Sequence, residues 1–283
     1  MTELHKKIIK YYDECQIFYD LFWMNKKNLA IHYGFWEKET RNLHEALINE
    51  NKAVAEKLDI KRSDIILDAG CGVGGTVIWI AENYGTKVVG INISEKQVEL
   101  AKEYAKKRKI EHLVSFEVKD FCNTGFPDES FTKIFGLESI CYAEEKEDFI
   151  REAFRLLKPG GILVVADGFL KRKNLNKEEQ QILTEWYTGW ALPNTGTTVS
   201  EFHEKLAKIG FKKIEFEDRT QEVLPSSRRI YLINMVLYPF VRILNLIKVL
   251  SDTNTLDIKA SLNQYHIFKK QIGLYGIFSA QKL

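Results

Sequence analysis

From Asp64 onward the chain alternates short β-branched apolar runs with stretches of helical period: IILD, GTVIWIAENYG, KVVGINI, SEKQVELAKEYAKKRK and LVSFEV follow one another. Repeated β-α-β alternation predicts a parallel sheet joined by right-handed crossovers. The series continues with FTKIFGLE as a fourth strand, a helix through EEKEDFIREAFRLLK, a turn at Pro159 to Gly161, and ILVVADG as a fifth strand. Ser94 with Gln97, and Thr198 with Glu201, have the spacing of capping boxes. One helix should therefore start after Ser94, ending the preceding strand near Asn92, and another should run from Thr198 to a stop at Gly210. FKKIEFEDRT and Tyr275 to Gln281 supply the last strands, giving an α/β fold with a Rossmann-like, seven-stranded, mostly parallel sheet and helices on both faces.

Two segments break the alternation, 169–197 and 221–271, and both are rich in large apolar and aromatic residues. They read as helical insertions that form a lid around one end of the sheet. Ahead of the sheet, residues 1–55 read as an N-terminal helical cap, with nine aromatics between Tyr11 and Trp36, which leaves 56–283 as the main domain. Ile230 to Leu250 is apolar enough to resemble a membrane span, but Asn234, Pro239, Arg242, Asn245 and Lys248 interrupt it. The last three recur as the polar stripe of an amphipathic helix would. A lid over an apolar pocket, or a face resting on a bilayer, is expected in place of a span.

Composition narrows the partners. The 41 basic and 39 acidic residues nearly cancel, so no global field would hold a polyanion, and nucleic acid is not an expected partner. Four cysteines, Cys15, Cys71, Cys122 and Cys141, show no CxxC pairing and no metal spacing to the six histidines. Neither a metal site nor a disulfide framework is expected, and the thiols read as small apolar fillers. The N-terminus mixes charges from its third residue and lacks the apolar run of a signal peptide, so a cytoplasmic location is expected, with peripheral membrane contact left open.

The stretch IILDAGCGVGG, Ile65 to Gly75, carries the first chemical signal: glycines at 70, 72 and 74 in the first strand-to-helix turn, preceded by Asp68. A dinucleotide site prefers GxGxxG with an acidic residue about twenty positions on, to hold the ribose. Here the spacing is GxGxG and the second strand ends at Asn92. A carboxylate at this turn would repel a pyrophosphate but attract an ammonium group, which favours a zwitterionic, cationic cofactor.

Taken together, LDAGCGVGG, GINIS, VKDF and LLKPGG resemble the class I S-adenosylmethionine-dependent methyltransferases, in the same order and over about Asp64 to Asp167. The resemblance implies S-adenosylmethionine as cofactor and S-adenosylhomocysteine as product. It implies that Asp68 and the backbone around Gly70, Cys71, Gly72 and Gly74 face the methionine portion. Asn92 and Ile93 would meet the ribose, Gln97 a nearby polar edge, Asp120 the adenine amine, and Phe121 the flat of the base. Asn92 departs from the acidic residue common in the wider family, yet GINIS is similar to the equivalent stretch of sterol, tocopherol and cyclopropane-fatty-acid methyltransferases. For Asp120 a plain capping role is the alternative.

The fourth strand leads into GLESICYAEEKEDF, not into the N/D-P-P-Y/F/W tetrapeptide with which nucleic-acid and protein-glutamine methyltransferases hold a planar nitrogen. It resembles the E-A-T-C-H-A stretch of sterol C-methyltransferases, with Glu138, Cys141 and Ala143 matching and Tyr142 in place of histidine. The aromatic segment with Tyr11, Tyr12, Phe18, Tyr19, Trp23, His32 and Tyr33 is similar in kind to one that folds over the cofactor in sterol and γ-tocopherol methyltransferases, and NQYHIFKKQIGLYGIFSAQKL resembles the end of the tocopherol type. Tyr19, Tyr33 and Glu138 would thus complete the cofactor site. Aromatic faces attract a sulfonium and any carbocation formed on transfer, and they exclude water. The expected activity is methyl transfer to carbon of a small hydrophobic acceptor of isoprenoid, sterol-like or other lipid type. Glu138 is the first candidate for a carboxylate at the reacting centre, and His32 and Tyr142 are further candidates for the base. Oxygen or nitrogen methylation of a small aromatic or amine metabolite is the alternative, and a non-catalytic adenosyl-binding module a third.

Overall fold

The computed structural model describes residues 2–23 and 28–283, and among these every side chain except those of 17–22. Its centre is a seven-stranded sheet of order β3-β2-β1-β4-β5-β7-β6. The strands are β1 (Ile65–Ala69), β2 (Lys87–Asn92), β3 (Val114–Val118), β4 (Phe131–Leu137), β5 (Leu157–Leu170), β6 (Lys212–Asp218) and β7 (Gly273–Gln281). The first five pair in parallel, whereas β7 runs antiparallel between β5 and β6. The order reverses between β1 and β4, so the carboxyl ends of these two strands flank the crevice where such sheets bind ligands.

Apolar residues adjacent in sequence feed opposite faces, because successive side chains of a strand alternate. Ile66, Val164 and Ile277 pack under α2 (Leu43–Leu58), α3 (Gly75–Tyr84) and α4 (Glu95–Arg108), while Leu67, Val165 and Phe278 pack under α5 (Lys146–Leu156) and α7 (Val199–Ile209). Burial on both faces explains why these strands read as continuous apolar runs and not as alternating ones. The remaining helices, α1 (Glu3–Phe22), α6 (Lys177–Gly189), α8 (Thr220–Leu246) and α9 (Asp252–Lys269), gather beside the sheet. Trp186, Tyr187, Ala260 and Ile267 knit α6 to α9, and Tyr11 on α1 bonds Asp257 on α9 at 2.8 Å.

Two local expectations are corrected. Pro159 to Gly161 forms no separate turn: β5 is continuous from Leu157, and Gly160, at φ +80°, bulges out so that its N–H reaches the Lys282 carbonyl at 2.7 Å. The Ser94 box is half made. Ser94 Oγ accepts from the Gln97 amide, but the Gln97 side chain turns away to accept from Asn92 Nδ2 at 2.8 Å, whereas the Thr198 and Glu201 box is complete. In α8, Ile230, Ile233, Asn234 and Leu237 line a cavity, and Val236, Phe240, Ile243 and Leu246 are exposed beside Arg242.

Candidate active site

Asp68 lies near the end of β1, buried, with its Oδ1 bonded to nothing among the described residues. Burial alone pushes its carboxyl well above the ordinary value. The glycines that follow have three different jobs. A Cβ on Gly70, at φ +104°, would lie 2.3 Å from Ser139 Cβ, so this glycine lets the loop after β4 close against β1. Gly74 begins α3 at φ +84°, where a Cβ would strike Phe116 at 2.8 Å and Ala101 at 3.0 Å. Gly72, at φ +53°, is the least crowded of the three, with only Ile31 Cδ1 close by at 3.3 Å, so its left-handed backbone is the main reason for glycine there.

One cavity of about 280 Å³ lies against this turn. Asp68, Gly70, Cys71 and Gly72 line it from β1, and Asn92, Ile93 and Gln97 from β2 and the start of α4. The Nε2 of Gln97 is buried and, like Asp68 Oδ1, has no partner among the described residues. A buried acceptor and a buried donor facing one cavity are each costly unless a ligand pairs them. Together they suit an amino-acid-bearing ligand, so the residues present fit S-adenosylmethionine. Phe121 also lines the cavity.

Two of the expected cofactor residues stand elsewhere. Gly74 is not in the lining. Asp120 also lies outside it: its Oδ1 accepts from the Cys122 amide at 2.8 Å and its Oδ2 sits 3.6 Å from His5 Nε2 on α1, which is a turn-closing and helix-pairing arrangement. Tyr19 falls on α1 where the side chain lies outside the described residues, as do Phe18 and Phe22.

Glu138 follows β4 directly, in the left-handed conformation at φ +51°, a strained setting that side chains adopt where the surroundings hold them. Its Oε1 accepts from the Tyr33 amide at 2.8 Å. Burial raises its carboxyl well above the ordinary range, and the nearby Glu50 carboxylate raises it further. His32 also lines the cavity; its Nδ1 is 2.7 Å from Glu50 Oε2, and its Nε2 is buried with no partner among the described residues. Tyr142 lines it too, with its hydroxyl 3.1 Å from that of Tyr12. Tyr33 is held at both ends, by the Glu138 bond and by its own hydroxyl donating to Gln264 at 3.0 Å.

Residues that the sequence did not single out complete the chamber. Asp167, on β5, is buried and accepts from the amides of Cys141 and Gly168, both at 2.7 Å; burial pushes its carboxyl up to about 6. Trp186, Tyr187 and Trp190, at the end of α6, bring aromatic faces to the lining. Glu50, fully buried on α2, accepts from His32, from the Gly34 amide at 2.7 Å and from the Tyr275 hydroxyl at 2.5 Å. The signal for Glu50 was present: it shares the apolar face of α2 with Ala46, Leu47 and Val54, where an acid needs a reason to be. Among the described residues no group of three or more His, Cys, Asp and Glu stands in a metal-holding arrangement.

The profile of the family described as mycolic acid cyclopropane synthetase matches residues 1–223. The sterol 24-C-methyltransferase of Eremothecium gossypii is 30% identical over 222 residues, which cover 77% of this chain and 58% of that protein. The 27-O-demethylrifamycin SV methyltransferase of Amycolatopsis mediterranei is 32% identical over 197 residues, covering 69% of this chain and 71% of that one. Among solved structures, the cyclopropane synthase MmaA2 from Mycobacterium tuberculosis superposes with a TM-score of 0.85 over 100% of this chain and 99% of its own, at 17% identity, which is a likeness of fold.

Proposed function

The chain belongs to the mycolic acid cyclopropane synthetase family, a group of class I S-adenosylmethionine-dependent methyltransferases, and from that premise we propose that it methylates a carbon atom of a small apolar acceptor of isoprenoid, sterol-like or other lipid type. The observation that carries the reading is the cavity against the glycine turn. It joins the unpaired Asp68 and Gln97 of the glycine turn to a chamber of aromatic faces that holds two buried carboxylates, Glu138 and Asp167.

When bound, S-adenosylmethionine supplies a methyl group on a positively charged sulfur. Asp68 offers an anionic acceptor to an ammonium group, and Gln97 Nε2 a donor to the same ligand. Tyr12, Tyr33, Trp186 and Tyr187 exclude water from the acceptor and set electron-rich faces against positive charge as it develops there. In-line displacement asks mainly for alignment, which a close-walled apolar chamber provides. Two groups are placed to take a proton from the methylated carbon. Glu138, its basicity raised by burial, is held by the Tyr33 amide; His32 is oriented through Nδ1 by Glu50, which leaves Nε2 as the acceptor.

The name of the sterol 24-C-methyltransferase relative supports carbon as the acceptor atom, and that of the rifamycin relative supports oxygen as the second reading. Incubation with methyl-labelled S-adenosylmethionine and a fractionated lipid extract, read by mass spectrometry, tests both. A label retained on carbon fits the proposal, and a label lost to ether or ester cleavage fits the second reading. S-adenosylhomocysteine binding with no turnover on any fraction would leave a binding module.

A further inference from the structure

The outer face of α8 is apolar where a water-exposed helix is normally polar. Val236, Phe240, Ile243 and Leu246 are 62%, 61%, 58% and 76% exposed, and Leu232, Met235, Ile247 and Val249 extend the patch. Positions 236, 240, 243 and 247 follow the i, i+4, i+7, i+11 rhythm of one helix face. Earlier along the same helix, Ile230, Ile233 and Leu237 line the cavity. A contiguous apolar surface of this kind marks an interaction site.

The charges around the patch say what covers it. From 223 to 251 there is no acidic residue and there are four cations, Arg228, Arg229, Arg242 and Lys248. The first acids beyond are Glu222 in the opening turn of α8 and Asp252 at the start of α9. A second copy of the chain paired through this face would bring cation against cation. A surface with an apolar interior and anionic headgroups answers both features at once. By length and composition α8 is apolar enough to cross a membrane, but part of it walls the cavity and it is tied to α9 at two points, with the Tyr231 and Tyr265 rings 5.1 Å apart and, at its C-terminal end, Asn245 Nδ2 donating to Asp252 at 3.0 Å. A helix so attached can lie in a membrane surface and cannot thread it.

We propose that α8 docks this protein on an anionic lipid bilayer through Val236, Phe240, Ile243 and Leu246, with Arg242 and Lys248 at the headgroups. The helix that walls the active cavity then rests on the bilayer, so an apolar acceptor has a short route from lipid to chamber. The docking itself rests on the outer surface of α8 and not on the transfer chemistry above.

The test is flotation of the purified chain with phosphatidylcholine vesicles, with and without phosphatidylglycerol, at low and high salt. No acceptor is present, so an error in the proposed acceptor leaves the reading untouched. The wild type should float with the anionic vesicles and lose binding as salt rises. Phe240→Glu with Ile243→Glu should bind vesicles roughly tenfold or more weakly, and Arg242→Ser with Lys248→Ser should erase the preference for phosphatidylglycerol. All variants should bind S-adenosylhomocysteine as the wild type does, which shows that they are folded. Equal flotation of wild type and the glutamate variant overturns the proposal, as does a wild type that ignores anionic vesicles. Light scattering that finds a dimer broken by Phe240→Glu would give the face to a second copy instead.

Discussion

The ring Nδ1 of His32 lies 2.7 Å from Glu50 Oε2, with both side chains buried. Because Glu50 also accepts from Gly34 and from Tyr275 on β7, one carboxylate on α2 ties the N-terminal segment to the sheet and fixes which nitrogen of the imidazole is left over. A buried acid that orients an imidazole is also the arrangement of the hydrolase triads, met here beside the proposed methyl-transfer chamber.

If His32 Nε2 takes the proton, His32→Gln should lower kcat by about 10²- to 10⁴-fold and leave S-adenosylhomocysteine affinity unchanged. Glu50→Gln, of the same size, should move kcat in the same direction. Glu138→Gln is the comparison: should it remove turnover while His32→Gln keeps it, the proton goes to Glu138. Single-turnover kinetics with calorimetry separates these outcomes.

Asp68→Asn should act in opposite directions on two measurements. The free protein should melt higher, since the variant removes a buried carboxyl with no partner, and the ligand should bind about 1.5 to 3 kcal/mol more weakly, since its ammonium loses a charged acceptor. Calorimetry and thermal melts on one preparation decide it. A variant that binds normally would remove Asp68 from the cofactor site.

Asp167 should leave a signature in the pH dependence of stability. Its carboxyl is raised from 3.8 to about 6, so between those values the folded chain keeps a proton that the unfolded chain has released. The stability it contributes is complete below pH 3.8 and is lost as pH rises to about 6, amounting to about 3 kcal/mol. Denaturant titrations across this range should show wild type losing stability relative to Asp167→Asn by that amount. A constant difference would mean that Asp167 does not titrate there.

Leu237→Asp places a carboxylate in the cavity wall on α8. Burying it unpaired costs several kcal/mol, so turnover of an apolar acceptor should collapse while S-adenosylhomocysteine still binds. Intact turnover would detach α8 from the chamber and reopen the acceptor to polar molecules.

The sheet was legible because each strand and helix announces itself locally: β-branched runs of strand length, helical-period stretches between them, and a Thr198 and Glu201 box that forms completely. The antiparallel insertion of β7 was not, since pairing partners are set by contacts far apart in sequence. Gly70, Gly72 and Asp68 were readable from spacing, but the reason for Gly70 is Ser139, 69 positions away, and no local pattern shows that. Asp120 has the residue type for an adenine contact, and its visible partners are a turn amide and His5, which no spacing rule announces. On α8 the polar residues Arg242, Asn245 and Lys248 suggested a stripe towards solvent or lipid headgroups, yet a stripe of single polar groups does not fix which apolar residues face inward. The cavity decides that, and it takes 230, 233 and 237.

The place of β7 in the sheet bears on how the chain is made. It is the last strand in order of synthesis, yet its neighbours on both sides, β5 and β6, are finished long before it. A ribosome feeding this chain outward can assemble β1 to β5 with their crossovers as each emerges, since every new parallel strand finds an edge already built. For β6 no such edge exists: its one partner is β7, so it must wait, unpaired, while α8 and α9 are translated. During that interval the free lateral edge of β5 and the whole of β6 are open to pairing with other chains.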